Sequence, residues 1–247
     1  MVTRVARRQR VRKGLLLGAL LLFPVVMNYL SPYVIIDGAS QGIVNGSLIV
    51  FGGLFVSALF FGRLWCGWAC PGGGLEEALF AVNDRPLRTP RLRWVKWAIW
   101  APWVGIIAWA AISAGGYHRV DVFHLTEGGI SLLHPYSYIV YYAVVLLFTV
   151  PALSLGRRAA CRGLCWMAPF MIAGRALRNR FRWPALRLQA DAARCTGCGT
   201  CTRACPMSLP VQELVQAGGM EHSECILCGS CVDGCPSSAI RYTFRRG

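Results

Sequence analysis

Charge is what this chain has least of. Only 15% of its residues are charged and only 11 of 247 are acidic, whereas an ordinary soluble domain carries about 25% charged residues. A fully water-soluble enzyme is thereby excluded. The 55% hydrophobic content excludes a disordered chain as well. Histidine is equally sparse: His118, His124 and His134 fall between two apolar stretches and His222 lies far beyond them. No apolar run therefore offers an axial histidine pair for a haem buried in a bilayer. No nucleic-acid-binding motif accompanies the formal charge of +15, so nucleic acid is not a partner. No inverted repeat or charged pathway points to a transporter.

What is abundant is apolar sequence, in four runs at 14–36, 43–65, 94–115 and 136–155. Each has the length of about 20 residues needed to cross a bilayer. Pro24, Pro32 and Pro102 fall inside these runs and are expected to be tolerated, because a helix bundle can satisfy the freed backbone groups. Gly46, Gly52, Gly53 and Ala58, with Ser47 and Ser57, predict close helix packing along the second run. Basic residues sort by side. Six precede residue 14, six lie around the connection between the second and third runs, from Arg63 to Lys96, thirteen follow residue 156, and only Arg119 lies between the third and fourth. The positive-inside rule then places both termini in the cytoplasm of a multi-pass protein of the bacterial inner membrane, with lipid as its surroundings.

The cysteines collect elsewhere. Cys195, Cys198, Cys201 and Cys205 are followed by Pro206, and Cys225, Cys228, Cys231 and Cys235 by Pro236. Both runs read C-x2-C-x2-C-x3-C-P, the bacterial ferredoxin pattern, repeated with a period of 30 residues. A cubane needs four thiolates, three from a tight loop and the fourth from the other half of the pair. Cys195, Cys198, Cys201 and Cys235 are therefore expected to hold one [4Fe–4S] cluster, and Cys225, Cys228, Cys231 and Cys205 the second. Gly197, Gly199 and Gly229 relieve crowding in the loops. Zinc favours C-x2-C pairs on a longer spacer, and a cytoplasmic tail excludes a disulfide framework. A helix is expected over 210–217, capped by Ser208, and a strand over 239–244. Arg194 and Arg203 read as solvated surface. The fold class is a four-helix transmembrane protein with a C-terminal two-cluster bacterial ferredoxin-like α+β domain. Its parts are a basic N-terminus (1–13), a membrane domain (14–155), a cytoplasmic linker with a C-x3-C motif (156–190) and the ferredoxin-like domain (191–247).

Four cysteines remain, Cys66 and Cys70 past the second run and Cys161 and Cys165 past the fourth. Topology brings both C-x3-C pairs to the membrane face that carries the ferredoxin motifs. Three readings stand open: a quinone-head or extra redox site, a further metal or cluster on four thiolates, or structural thiols in interfacial turns with Trp68 and Trp166 as belt anchors.

The combination of four spans, two ferredoxin motifs, Cys66-Gly67-Trp68-Ala69-Cys70-Pro71 and the second pair resembles the NapH-type membrane-bound polyferredoxins, relatives of the iron–sulfur parts of NosR-like and MauN-like proteins. The match runs from about residue 14 to 242 and departs at Trp166, where the family has proline after the second pair. The resemblance implies electron transfer between the quinone pool and a protein redox partner, another iron–sulfur or cytochrome subunit of a respiratory reductase. Electron flow in the reverse direction, or a non-catalytic role in the assembly or regulation of a metalloenzyme, is the alternative.

Overall fold

The computed structural model describes residues 2–246. It opens with helix α1 (Val2–Leu21), followed by the short α2 (Phe23–Val26), a 3-10 turn (Met27–Leu30) and α3 (Pro32–Ser40). The first expected span is therefore broken. The chain bends by 57° after Leu21, and Pro24 and Pro32 each sit at the start of a new helix. A proline lacks the N–H that would continue the preceding ladder, but it fits the first turn of the next helix, where that donor is spare.

Strand β1 (Ile43–Asn45) leads into α4 (Gly46–Phe61), which Asn45 caps by accepting the Leu48 N–H at 2.9 Å. Its 16 residues rise about 24 Å, short of a hydrocarbon core of about 30 Å. Two short helices follow, α5 (Leu64–Trp68) and α6 (Pro71–Ala78), and then the long α7 (Val95–Ser113). Strand β2 (Arg119–Asp121) pairs in parallel with β1, and α8 (Pro135–Leu155) is the last long helix. Among the described residues two helices, Arg91–Ser113 and Pro135–Leu155, are long and apolar enough to cross a membrane, or three when the bent first pair counts as one. The expected count of four is thus supported only in part.

The segment read as a linker is folded. It forms α9 (Ala159–Gly163), α10 (Ala168–Arg180) and β3 (Ala185–Ala190). The ferredoxin-motif region adds α11 (Thr200–Arg203), α12 (Val211–Gln216), α13 (Ser230–Asp233) and β4 (Ile240–Arg245). β3 pairs antiparallel with β4 from Ala185↔Arg245 to Ala190↔Ile240, so the C-terminal fold begins before the first cysteine motif. Ser208 does not cap α12. Its backbone is left-handed (φ 52°) and its hydroxyl accepts the Leu87 N–H instead.

α10 lies against α4 at Gly174, where an added Cβ would come within 2.6 Å of the Phe55 carbonyl oxygen. The close packing expected at Gly52 and Gly53 is absent, because both face open space. Phe51, Trp103 and Phe170 stack edge-to-face with centroids 5.3–5.7 Å apart. One continuous apolar core runs from these rings through Met167 and Met171 to Ile226 and Met207 beneath the cysteine motifs.

Candidate metal centres

The 30-residue repeat is visible in the backbone. Gly197 and Leu227, Gly199 and Gly229, and Ser208 and Ser238 form three pairs one period apart, and all six have positive φ between 50° and 79°. Gly229 is also tightly enclosed, and Gly199 less so, because its neighbour is the movable end of a side chain. A Cβ at Gly229 would fall 2.6 Å from the Tyr242 hydroxyl, and one at Gly199 would fall 3.1 Å from Arg203. The first turn of each motif thus curls so that its cysteines face inward.

They face two small cavities. One is lined by Cys205, Cys225, Cys228 and Cys231, and the other by Cys195, Cys198, Cys201 and Cys235. Each cavity takes three thiols from one motif and the fourth from the other. Four thiols facing a mostly apolar wall, with His222 in the first cavity and Thr196, Gln212 and Ser237 in the second, fit a cubane. Met207, Leu209, Ile226 and Val211 close the first cavity, and Val215, Ala239 and Ile240 the second. The Ala239 N–H points at the Cys235 sulfur at 3.3 Å, the kind of donor a cluster thiolate accepts from. Burial, the larger cause, and the neighbouring Cys228 thiol push Cys205 up to about 12, so metal must displace its proton on binding.

The two cavities differ in exposure. Cys205, Cys228 and Cys231 are buried, whereas Cys198 is exposed. The inner cavity faces the membrane part through a set of specific contacts. Gly67 lies so close to the Ile226 carbonyl that a Cβ would come within 2.4 Å of its oxygen. The Trp68 indole donates to the Leu227 carbonyl at 3.1 Å, and Gln9 donates to that of Cys228 at 3.1 Å. Glu224, just before the second motif, accepts from Arg63 at 2.7 Å and from Lys96. Burial alone would raise the Glu224 carboxyl, but Arg63 and Lys96 outweigh it and hold it at about 2.

Cys66, Cys70, Cys161 and Cys165 are all buried. α5 and the start of α6 bring the first pair, and α9 with the turn before α10 brings the second. The thiols sit near enough to oppose one another's ionisation. Burial, then Cys66 and Cys165, raise Cys70; burial, Glu76, Cys165 and Cys70 raise Cys161; burial and Cys66 raise Cys165 to about 11, against the pull of Arg63. The indole N–H groups of Trp68 and Trp166 are both used within the protein. Trp166 donates to the Leu30 carbonyl at 2.9 Å, and Trp68 is spent on Leu227.

Around the thiols lies a buried ionic network that charge counting had assigned to topology. Arg158 donates to the Cys66 carbonyl at 2.9 Å and to Glu77 at 2.7 Å, and Arg12 also pairs with Glu77 and donates to the Gly67 carbonyl. Glu76 accepts the Ala160 and Cys161 N–H groups at 2.8 and 2.9 Å. Arg12, Arg63, Lys96 and Arg158 are at most 2% exposed. Nothing in the local sequence marks these residues, because their partners come from elements 50 or more residues away. The doublet Glu76-Glu77, in a chain so poor in acids, was the one available signal. Of the exposed arginines, Arg194 pairs with Asp191, while Arg203 donates to the Cys198 carbonyl at 3.2 Å. His222 is half-buried, lines the inner cavity and accepts the Glu224 N–H.

Beside the thiols is a cavity of about 240 Å³. Leu20, Phe23, Leu75, Val144 and Phe148 line it, and so do Pro71, Gly72, Trp166 and Met167, which follow Cys70 and Cys165 in the chain. Its walls are apolar, with hydroxyls only from Ser31 and Tyr33.

Comparison with known proteins agrees with this geometry. A 4Fe-4S dicluster domain matches residues 194–240, and a 4Fe-4S binding domain matches residues 46–90. The chain is similar to Protein RdxA of Cereibacter sphaeroides, 29% identical over 69% of this chain and 41% of RdxA. It is also similar to YccM of Escherichia coli, provisionally named an electron transport protein, 23% identical over 76% of this chain and 54% of YccM. The chain thus spans about half the length of these curated relatives. No solved structure matches.

Proposed function

We propose that this chain is a membrane-bound iron–sulfur electron carrier that accepts electrons from quinol and delivers them to a protein redox partner. The observation that carries the reading is the order of the sites. The apolar cavity touches the residues beside Cys70 and Cys165, the loop at Cys66–Trp68 touches the inner cysteine cavity, and the outer cysteine cavity ends at exposed Cys198. When bound, the two [4Fe–4S] clusters carry single electrons over a wide range of potentials.

The chain's own residues supply the rest. The two crossed sets of four cysteines hold the clusters close together. Met207, Leu209 and Ile226 exclude water from the inner one, and Arg175 braces its loop by donating to the Cys225 carbonyl at 3.1 Å. The apolar walls suit the isoprenoid part of a quinol, with Ser31 and Tyr33 as the hydroxyls available to its head. The exposed rim at Cys198 is where the partner, an iron–sulfur or cytochrome subunit, docks. YccM's name assigns electron transport to that protein, and the NapH-type resemblance points to the same chemistry in the inner membrane with both termini cytoplasmic.

The test is paramagnetic resonance on anaerobically purified protein after addition of a reduced quinol analogue. Signals from two interacting reduced centres should grow on a turnover timescale. If dithionite raises those signals and quinol does not, the quinol-donor reading is wrong, and reverse flow or an assembly role takes its place.

A further inference from the structure

The 4Fe-4S binding domain matched at residues 46–90 contains two cysteines, Cys66 and Cys70. Two thiolates do not complete a cubane. The fold brings two more beside them, Cys161 and Cys165, from a segment that neither matched domain includes: Arg158 donates to the Cys66 carbonyl and to Glu77, Glu76 accepts the Cys161 N–H, and Cys165 shares one apolar core with Cys66 and Cys70. We infer that Cys66, Cys70, Cys161 and Cys165 together hold a third [4Fe–4S] cluster, placed between the apolar cavity and the inner ferredoxin cavity. The assignment stands apart from the quinol reading, since it concerns what the four thiols bind and not what reduces it.

Charge is the first argument. Arg12, Arg63, Lys96 and Arg158 are buried around this site and face three carboxylates, Glu76, Glu77 and Glu224. A buried cation without a counter-charge costs several kcal/mol. Four neutral thiols would leave that excess standing. Four thiolates on an oxidised cubane core bring a formal charge of about −2, which supplies the missing counter-charge and leaves the buried set near neutral, at about −1.

Donors without acceptors are the second. The Nε atoms of Arg63 and Arg158 and the indole nitrogen of Trp65 are buried and find no acceptor among the described residues. Arg63 lies within electrostatic reach of Cys66 and Cys165, Arg158 does so for Cys161, and Trp65 adjoins Cys66 in the chain. Buried donors are nearly always paired in a native protein. Cluster sulfides and thiolates are acceptors of the missing kind.

On binding, the four S–H bonds give way to sulfur–iron bonds and four protons leave.

The experiment counts iron and acid-labile sulfide in the full-length protein, purified and reconstituted anaerobically in detergent. About twelve of each per chain are expected if there are three cubanes, and about eight if there are two. Replacing Cys66→Ser and Cys161→Ser together should remove about four of each and leave the coupled signals of the dithionite-reduced ferredoxin pair unchanged. Equal iron in the wild type and the variant overturns the inference. So does a wild-type count of about eight iron with one equivalent of zinc or copper. If the double variant does not fold, the wild-type count decides alone. Quinol plays no part in this measurement, so twelve irons with no quinol reduction would fault only the proposed function, and eight irons with quinol reduction only the third cluster.

Discussion

Glu77 joins three parts of the chain that are far apart in sequence. It pairs with Arg12 on α1 and with Arg158 before α9, and its side chain is only 9% exposed. Removing one partner from such a buried set leaves uncompensated charge, so Glu77→Gln should lower stability by about 3–5 kcal/mol. The exposed pair Asp191–Arg194 is the control, because Asp191→Asn should change stability by less than about 1 kcal/mol. Denaturant unfolding in detergent measures both. The pH dependence has a definite sign. Burial would raise the Glu77 carboxyl, and Arg12 and Arg158 together more than reverse that, so its folded value lies below the ordinary 4.5. A depressed carboxyl contributes stability that is fully present above its unfolded value and is lost as pH falls through the folded one. The gap between wild type and Glu77→Gln should therefore be constant near neutrality and close below the ordinary carboxylate value. At this scale the ferredoxin cysteines were legible, because thiols separated by two residues fix a local loop. The arginines were not. Arg12, Arg63 and Arg158 count as basic loop residues in any tally of sidedness, and only the fold shows that their charge is buried.

Helices show a similar division between what local sequence decides and what packing decides. α7 and α8 were legible as long apolar runs, and both keep their internal prolines, Pro102 and Pro151. The first run was also apolar throughout, yet Pro24 and Pro32 fall where the chain turns back over the outer loop. There Asn28 bonds to Ser131 and to the Leu125 carbonyl, and the end of α1 with three short elements replaces one span. Small residues on α4 were visible too, but composition does not say which of them meets a neighbour. Gly174 on α10 does, against Phe55 and Ala58, whereas Gly53 meets nothing. Gly174→Ala should overpack that crossing and cost about 1–3 kcal/mol. Gly53→Ala should be neutral or stabilising by up to about 1 kcal/mol through helix propensity. Thermal unfolding in one detergent compares the two variants, and equal effects would contradict the packing described for α4 and α10.

The molecule as a whole depends on how the cysteine domain is seated on the part that carries the long apolar helices. A count of four spans put both C-x3-C pairs on one face with the ferredoxin motifs, yet the described helices give at most three spans, and only the cysteine spacing itself was legible. The seat itself was not, since it is made by a backbone approach at Gly67 and a carboxylate, Glu224, whose partners lie 161 and 128 residues away. Both cysteine cavities are lined only by residues from Leu188 to Ile240, so they should form whether or not the domain is seated. Gly67→Ala separates the two properties. Its new methyl group would meet the Ile226 carbonyl oxygen at 2.4 Å, and neither backbone can yield without lifting the loop that leads to Cys228. Iron and sulfide at the ferredoxin motifs should stay at wild-type content, and dithionite should reduce them as before. Reduction by a quinol analogue, followed by stopped-flow absorbance, should slow, because the step from the membrane-edge loop to the inner cavity has lengthened. Trp68→Phe, which loses one hydrogen bond to Leu227 worth about 1 kcal/mol but keeps the backbone contact, should slow it less. If Gly67→Ala takes up electrons from quinol at the wild-type rate, the path does not cross at Gly67 and Ile226, and the seat serves stability alone.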